Sequence, residues 1–164
     1  MNIKVSLSPR SIERAIKELE AYKKWLAEKS SELCRRLAEV GVEVATAEFS
    51  AVDYDGDKDF DVVWEEDGSG CRVVANGQSV LFLEFGSGAK LGGGHPLNQE
   101  FGMGPGTWSE GPQGKGHWDD PNGWYVPGHH GMKSEGNKPA MGMFLAGKQM
   151  REQIETIARE VFQH

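Results

Sequence analysis

The chain has 164 residues, a formal net charge of −7 and 38% hydrophobic residues. This length and apolar content are enough for one domain with a single hydrophobic core, so we expect one domain over residues 1–164. The acidic balance argues against a general nucleic-acid-binding protein, which would carry a basic stripe. The sequence has neither a signal-peptide pattern nor an apolar run of about 18 residues, and it therefore predicts no membrane segment.

The first predicted element is a long helix that begins at Ser8 and Pro9. Serine is a favoured N-cap, and proline suits the first helical position because its missing N–H would be unpaired there. Apolar residues then recur at helical spacing and predict one buried stripe: Ile12, Ile16, Leu19, Leu26, Leu33, Leu37, Val40 and Val44. The stripe weakens at Lys23 and Ser30, which leaves open a break near residues 30–31. The heptad-like spacing also allows a coiled coil, but a helix packed on a sheet is favoured.

After residue 51 the apolar period changes from helical to two, which is typical of a strand. Phe60, Val62 and Trp64 alternate with acidic residues, and residues 67–70 have the composition of a turn. We expect a first strand here, followed by a reversal of the chain.

Two further strands are predicted after this turn. Residues 72–75 form the second, and Asn76-Gly77 is a strong hairpin signal because both central residues of a type I′ turn need positive φ. Residues 80–85 are almost continuously apolar and predict a third, central strand. The middle of the chain is therefore predicted to be an antiparallel meander of at least three strands.

A long glycine- and aromatic-rich insertion, residues 86–138, follows the predicted meander. Residues 86–136 hold 15 of the 22 glycines, three of the five tryptophans and four of the five histidines. Connections longer than about 15 residues are usually functional or disordered, and disordered segments contain few aromatic residues. We expect a segment that orders against a partner, although a loop folded on its own domain is the alternative. Its predicted contact residues are the large aromatic ones: Phe101, Trp108, Trp118, Trp124 and Tyr125.

A second amphipathic helix is predicted from Lys138-Pro139 almost to the C-terminus. Its stripe has helical spacing: Ala140, Met143, Phe144, Gly147, Met150, Ile154, Ile157, Val161 and Phe162. Two long helices flanking a small antiparallel sheet predict an α+β fold.

An alternation of aspartates is the first candidate for a chemical site: Asp53, Asp55, Asp57, Asp59 and Asp61. Calcium loops place oxygen ligands at alternate positions, but they also need a central glycine and a closing glutamate. Gly56 falls too early for that frame, and no glutamate closes it. We favour a solvated turn that enters the first strand. The two cysteines, Cys34 and Cys71, form no metal motif and are expected to be reduced thiols.

The insertion also contains residues that could in principle gather a metal: His95, His117, His129, His130, Asp119 and Asp120. Their spacing matches no zinc motif, so polar residues that face solvent or a partner are favoured. No phosphate-binding loop or nucleophile elbow is present. We therefore expect no enzyme activity, metal or cofactor. A small metal-dependent hydrolase that uses His117, Asp119, His129 and His130 is the alternative class.

The order of segments resembles a known protein family. The segments are SIERAIKELEAY, AVDYDGDKDFDVVW, VVANGQSV, VLFLEFGSGA and NKPAMGMFLAGKQM, and the resemblance covers residues 11–162. The most specific piece is LFLEFGSG followed, after the insertion, by the helix that starts with PAM. In this order the chain is similar to the neck or tail-completion (head–tail joining) proteins of bacteriophages with long non-contractile tails.

The resemblance implies a non-enzymatic virion or assembly protein at the head–tail junction. It implies self-association into a ring, a hexamer, together with contacts to other phage neck and tail proteins. DNA would be only passing cargo, and no membrane would be involved. The protein would occupy the host cytoplasm during assembly and then the virion.

Overall fold

The computed structural model describes residues 6–68, 70–88, 90–101, 124–125 and 133–163. Its elements in chain order are α1 (Pro9–Ala51), β1 (Asp61–Glu66), β2 (Cys71–Asn76), α2 (Val80–Phe85), β3 (Trp124–Tyr125), β4 (Lys133–Ser134) and α3 (Gly142–Phe162). The long N-terminal helix, the antiparallel strand pair and the C-terminal helix confirm the predicted mixture of helix and sheet. In the described part of the chain, no helix is long and apolar enough to cross a membrane.

Helix α1 begins where the sequence predicts. Ser8 has an extended backbone with φ −112°, and its Oγ accepts a hydrogen bond from the N–H of Ser11 at 3.3 Å. Pro9 occupies the first turn, where its missing N–H leaves nothing unpaired. The helix has 43 residues, which corresponds to a length of about 64 Å.

Helix α1 is continuous through residues 30–31, so the possible break does not occur. Helix α3 packs antiparallel along it: the ring centroids of Trp25 and Phe162 are 5.8 Å apart, and the Arg36 guanidinium lies 2.5 Å from the Glu160 carboxylate. These two contacts lie on either side of residues 30–31. Packing against α3 therefore stabilises the helix where its apolar stripe weakens.

Strands β1 and β2 form the predicted antiparallel hairpin, with Trp64 opposite Val73. The turn at residues 67–70 joins them, and the N–H of Asp67 donates to the carbonyl oxygen of Gly70 at 3.1 Å. The hairpin packs on α1. The buried core joins both long helices, the hairpin and α2: Ala45, Phe49, Val62, Val80, Leu83, Ala140 and Ala146.

Residues 80–85 form helix α2, so the predicted third strand and three-stranded meander are wrong. Val80 and Leu83 are buried, whereas Leu81 between them is 50% exposed. Burial at a spacing of three is helical, and a strand would bury alternate residues instead. A short continuous apolar run fits either element when it is read alone.

Asp59 holds the two residues that precede α2. Its Oδ2 accepts a hydrogen bond from the N–H of Gln78 at 3.0 Å, and its Oδ1 accepts one from the N–H of Ser79 at 2.7 Å. These backbone donors lower the pKa of Asp59 from its ordinary value of 3.8, because they stabilise the carboxylate. Gly77 has φ +136°, and a Cβ there would overlap the Asp59 carbonyl oxygen. Gly77 thus bends the chain into α2, and the Asn76-Gly77 pair does not close a hairpin.

Helix α3 begins at Gly142, a few residues after the predicted start at Pro139. The N–H of Ala140 donates to the Leu83 carbonyl oxygen at the end of α2, at 2.7 Å. Met141 then has φ +58°, a left-handed conformation that few non-glycine residues adopt. Because Ala140 is bonded to α2, it lies outside α3, and the left-handed backbone of Met141 then turns the chain into the helix.

Candidate functional site

Ser87 and Asn137 join the two ends of the glycine-rich insertion. The N–H of Ser87 donates to the Asn137 carbonyl oxygen at 2.9 Å, and the N–H of Asn137 donates to the Ser87 carbonyl oxygen at 3.1 Å. The Ser87 Oγ donates to the Asn137 Oδ1 at 2.5 Å. Both residues are nearly inaccessible, with 3% and 2% of their surface exposed. This antiparallel bridge joins the two ends of a segment of about fifty residues.

The Asn137 side chain also fixes this closure to helix α2. Its Nδ2 donates to the Phe82 carbonyl oxygen at 2.9 Å and to the Lys138 carbonyl oxygen at 3.0 Å. The amide thus uses both of its N–H groups and its oxygen inside the protein, as a buried asparagine should. Serine and asparagine at these positions are therefore required by the closure itself.

Two glycines allow the ends of the insertion to approach this closely. Gly88 has φ +86° and Gly136 has φ +98°, in the region that favours glycine. A Cβ at Gly136 would overlap the Ser87 carbonyl oxygen, and a Cβ at Gly88 would overlap the Glu135 carbonyl oxygen. The glycine-rich composition therefore has a steric role at the ends of the insertion.

Glu84 connects the closure to the N-terminus of α3. Its Oε2 accepts a hydrogen bond from the N–H of Met143 at 2.8 Å, and its Oε1 accepts one from the N–H of Phe144 at 3.0 Å. The residue that precedes α3, Met141, provides no side-chain cap. A carboxylate at this position satisfies two unpaired donors and interacts favourably with the helix dipole. Helix α3 is therefore capped by a residue of helix α2.

His95 completes the arrangement from within the insertion. Its Nε2 lies 3.0 Å from Glu84 Oε1, and its Nδ1 accepts a hydrogen bond from the N–H of Leu97 at 3.1 Å. Since Nδ1 accepts, Nε2 carries the hydrogen and donates it to the carboxylate. The ring packs between Phe85 and Phe144, with centroid distances of 4.4 and 5.5 Å. The prediction that His95 faces solvent or a partner is wrong, because only 4% of the residue is exposed.

We call these residues together the insertion base: Glu84, Ser87, Gly88, His95, Gly136 and Asn137. Every carboxylate oxygen and ring nitrogen in it already has a partner within the protein. The arrangement holds the two ends of the insertion together through buried hydrogen bonds. The insertion base is therefore a mount for the segment that it closes.

The structure bears on the other predicted chemistry only in part. Within the described ranges, no group of three or more histidine, cysteine, aspartate or glutamate side chains could hold a metal ion. The hydrolase residues that the sequence suggests all lie outside those ranges: His117, Asp119, His129 and His130. Within the aspartate run, Asp59 accepts hydrogen bonds from the backbone N–H groups of Gln78 and Ser79.

The predicted aromatic contact residues are placed only in part. Phe101 is 58% exposed, and its ring lies 5.8 Å from the ring of Phe85 beside His95. Trp124 and Tyr125 form β3, which pairs with β4 in antiparallel register. Trp108 and Trp118 lie outside the described residues.

The sequence did not predict an exposed apolar surface at the start of α1. Three residues of the stripe expected to be buried are 44%, 50% and 55% exposed: Ile12, Ile16 and Leu19. The last residue of α3, Phe162, contacts α1 at Trp25, six positions after Leu19. Helix α1 has 43 residues and α3 has 21, so α3 can cover only part of the length of α1.

A groove between α1, β2 and α3 was also not predicted. Its volume is about 320 Å³. Its walls are mainly apolar and include both cysteines, which are free thiols. Burial raises the pKa of the Cys71 thiol, and the nearby Cys34 raises it further.

No protein-family model, curated protein or solved structure matches the chain.

Proposed function

We propose that this chain is a non-enzymatic structural and assembly protein of the head–tail junction in bacteriophages with long non-contractile tails. It acts in the neck or in tail completion and assembles with itself and with other virion proteins. The order of the segments along residues 11–162 supports the class of protein. The insertion base supports the mode of action, and it is the observation that carries the proposal.

The insertion base joins the packed part of the protein, formed by α1, the β1–β2 hairpin, α2 and α3, to the long segment of residues 86–136. Within the described residues, buried hydrogen-bonded groups close this segment at its two ends. A segment that is rich in large aromatic residues and mounted in this way suits recognition of a neighbouring protein. We propose that residues 86–136 supply an inter-subunit patch or the contact to the tail, through Phe101, Trp108, Trp118, Trp124 and Tyr125.

Self-association into a hexameric ring is the second part of the proposal. DNA passes through such a ring as cargo, and the net charge of −7 suits a protein that does not grip phosphates. The protein works in the host cytoplasm during assembly and then in the virion. Exposed apolar side chains at the start of α1 support association, because large exposed apolar patches mark interaction sites.

The test replaces residues 89–135 by Asn-Gly in the encoding phage. Gly88 and Gly136 already touch, so the two added residues make a four-residue loop closed by Ser87 and Asn137. We expect a folded protein, together with lysates that contain filled heads and complete tails that are not joined. Normal plaque yields from this variant would overturn the proposal.

Two controls separate function from stability. The replacement removes His95, so His95→Gln in the full chain measures how much stability this loss costs on its own. Phe101→Ala removes one exposed ring and leaves the insertion base intact, and we expect it to reduce joining with little change in stability. The neighbouring genes give an independent test: portal and capsid genes should lie upstream and a tail-tube gene downstream.

A further inference from the structure

The start of α1 carries an exposed apolar stripe that lies apart from the groove described above. Ile12, Ile16 and Leu19 are spaced by four and three residues, which places them on one helix face. They are 44%, 50% and 55% exposed. Lys23 interrupts the face beyond Leu19, so the continuous part ends there. We call these three residues the N-terminal stripe.

The groove offers a complementary concave surface. Its volume of about 320 Å³ has room for more than one aliphatic side chain. Ile154 at its edge is 50% exposed, although it belongs to the apolar face of α3. The residues that supply its apolar walls are Cys34, Leu37, Cys71, Val73, Met150 and Ile154, and we call this set the α1–α3 groove.

The charges beside the two surfaces are complementary. Two arginines, Arg72 and Arg151, line the α1–α3 groove, and no acidic residue does. Arg72 is already paired with Glu65 at 2.8 Å, whereas Arg151 makes no ion pair with a described residue.

The N-terminal stripe is bordered by acids. Glu13 and Glu20 are seven positions apart and lie along one border of the stripe, since seven residues make two helical turns. Neither forms an ion pair with a described residue. The basic residues Arg14 and Lys17 lie toward the opposite face of α1. An acid-bordered apolar stripe therefore fits a groove that carries an unpaired arginine.

We propose that the N-terminal stripe of one copy docks in the α1–α3 groove of a second copy. The contact cannot form within one chain. Leu19 and Leu37 belong to the same continuous helix, and the 18 positions between them correspond to about 27 Å. Because the contact joins two different patches, each added copy leaves one stripe and one groove open until the ring closes. The inference rests on the self-association in the proposed function, and it names the two patches that associate.

Disulfide trapping tests this contact with thiols that the chain already has. In Leu19→Cys the stripe carries a thiol that can reach Cys34 or Cys71 in the groove of a second copy. After oxidation with diamide, we expect a ladder of dimers, trimers and larger species on a non-reducing gel. Lys17→Cys is the matched control, since it places a thiol on the opposite face of the same helix, and it should give at least about tenfold less of this product.

A variant without the two native cysteines shows whether the stripe binds the groove or a second stripe. Adding Cys34→Ser and Cys71→Ser to Leu19→Cys should abolish the ladder. Dimers that persist in this background mean that two N-terminal stripes pair with each other, and this result would overturn the proposal. Equal cross-linking from Lys17→Cys, or no cross-linking from Leu19→Cys, overturns it as well.

Light scattering of the unmodified protein distinguishes this inference from the proposed function. An oligomer that gives no stripe-to-groove product leaves the proposed self-association intact and refutes the docking. A monomer at all concentrations that also gives no product refutes both. Leu19→Asp provides a confirming variant: its circular dichroism should be unchanged, and its self-association should weaken by about tenfold or more, because burial of a leucine is lost.

Discussion

Ser87 and Asn137 are 50 positions apart in the chain, yet each donates its backbone N–H to the carbonyl oxygen of the other. A long connection normally costs closure entropy that grows slowly with its length. Here buried hydrogen bonds at one place offset that cost, and His95, which lies between the two residues, adds a buried contact to Glu84. The ends of the insertion are thus held in place by groups that are buried within the protein.

Asn137→Ala should destabilise the protein strongly. The substitution removes the partner of the Ser87 hydroxyl and leaves the carbonyl oxygens of Phe82 and Lys138 without their side-chain donor. We expect the free energy of unfolding to fall by about 3 kcal/mol, since each buried polar group left unpaired costs roughly 1–3 kcal/mol. Urea unfolding followed by circular dichroism measures this.

Asn76→Ala is the control for this experiment, because Asn76 is exposed at the end of β2. We expect a change within about 0.5 kcal/mol, as at ordinary surface positions. Equal losses from the two variants would contradict the structural role of Asn137.

Gly136→Ala separates steric overlap from backbone strain. At Gly136 a Cβ would overlap the Ser87 carbonyl oxygen, whereas Gly68 also has positive φ but has open space around it. Gly68→Ala should therefore cost only about 1 kcal/mol from the left-handed conformation. Gly136→Ala should cost about 3 kcal/mol or more, since the backbone must also shift. Similar unfolding midpoints for the two variants would show that the close approach does not exist.

Glu84→Gln tests whether a residue of α2 caps α3. The glutamine keeps one acceptor oxygen, but its NH₂ group must face a backbone N–H, because both carboxylate oxygens accept from the first turn of α3. The expected loss of unfolding free energy is about 2–3 kcal/mol, as for a buried hydrogen bond to a charged group. The matched control is Glu65→Gln, which removes an exposed ion pair with Arg72 and should cost less than about 1 kcal/mol.

The sequence predicted those parts of the fold that depend on neighbouring residues. Ser8 and Pro9 start α1, and residues 67–70 turn the hairpin, as their local chemistry indicates. Helix α2 was missed because its cap, Asp59, lies about twenty positions before the residues whose N–H groups it accepts. A window over residues 80–85 alone contains only a continuous apolar run, and such a run does not distinguish a helix from a strand.

The candidate site was predictable to a lesser degree. Composition alone marks residues 86–136 as unusual, and the glycines at its ends are visible in the sequence. The pairing of Glu84 with His95 is not visible, since a histidine among glycines and prolines has the local signature of an exposed loop. Burial of His95 depends on Phe85 and Phe144, which come from two different helices. Only tertiary packing brings these groups together.

Metal analysis tests the absence of enzymatic chemistry. The proposed function predicts that protein purified without chelator contains no stoichiometric zinc, manganese or iron by plasma mass spectrometry. The hydrolase alternative predicts about one bound metal per chain, which should be lost in His117→Ala and His129→Ala together, since imidazole is a strong ligand for these metals. Retention of metal at one equivalent, with loss in this double variant, would favour the hydrolase.

Asp59 predicts a specific dependence of stability on pH. Hydrogen bonds from Gln78 and Ser79 lower its pKa in the folded protein from 3.8. A lowered folded pKa means that the carboxylate contributes stability at pH values above the unfolded pKa and loses it as the pH falls through the folded pKa. As the pH falls below about 4, the urea midpoint of the unsubstituted protein should therefore fall. In Asp59→Asn the fall should be shallower, because the side chain can no longer bind a proton in this range.

Asp55→Asn, which changes an exposed acid of the same run, is the control and should follow the unsubstituted protein. If Asp59→Asn also follows it, the cap does not contribute to stability as the structure indicates.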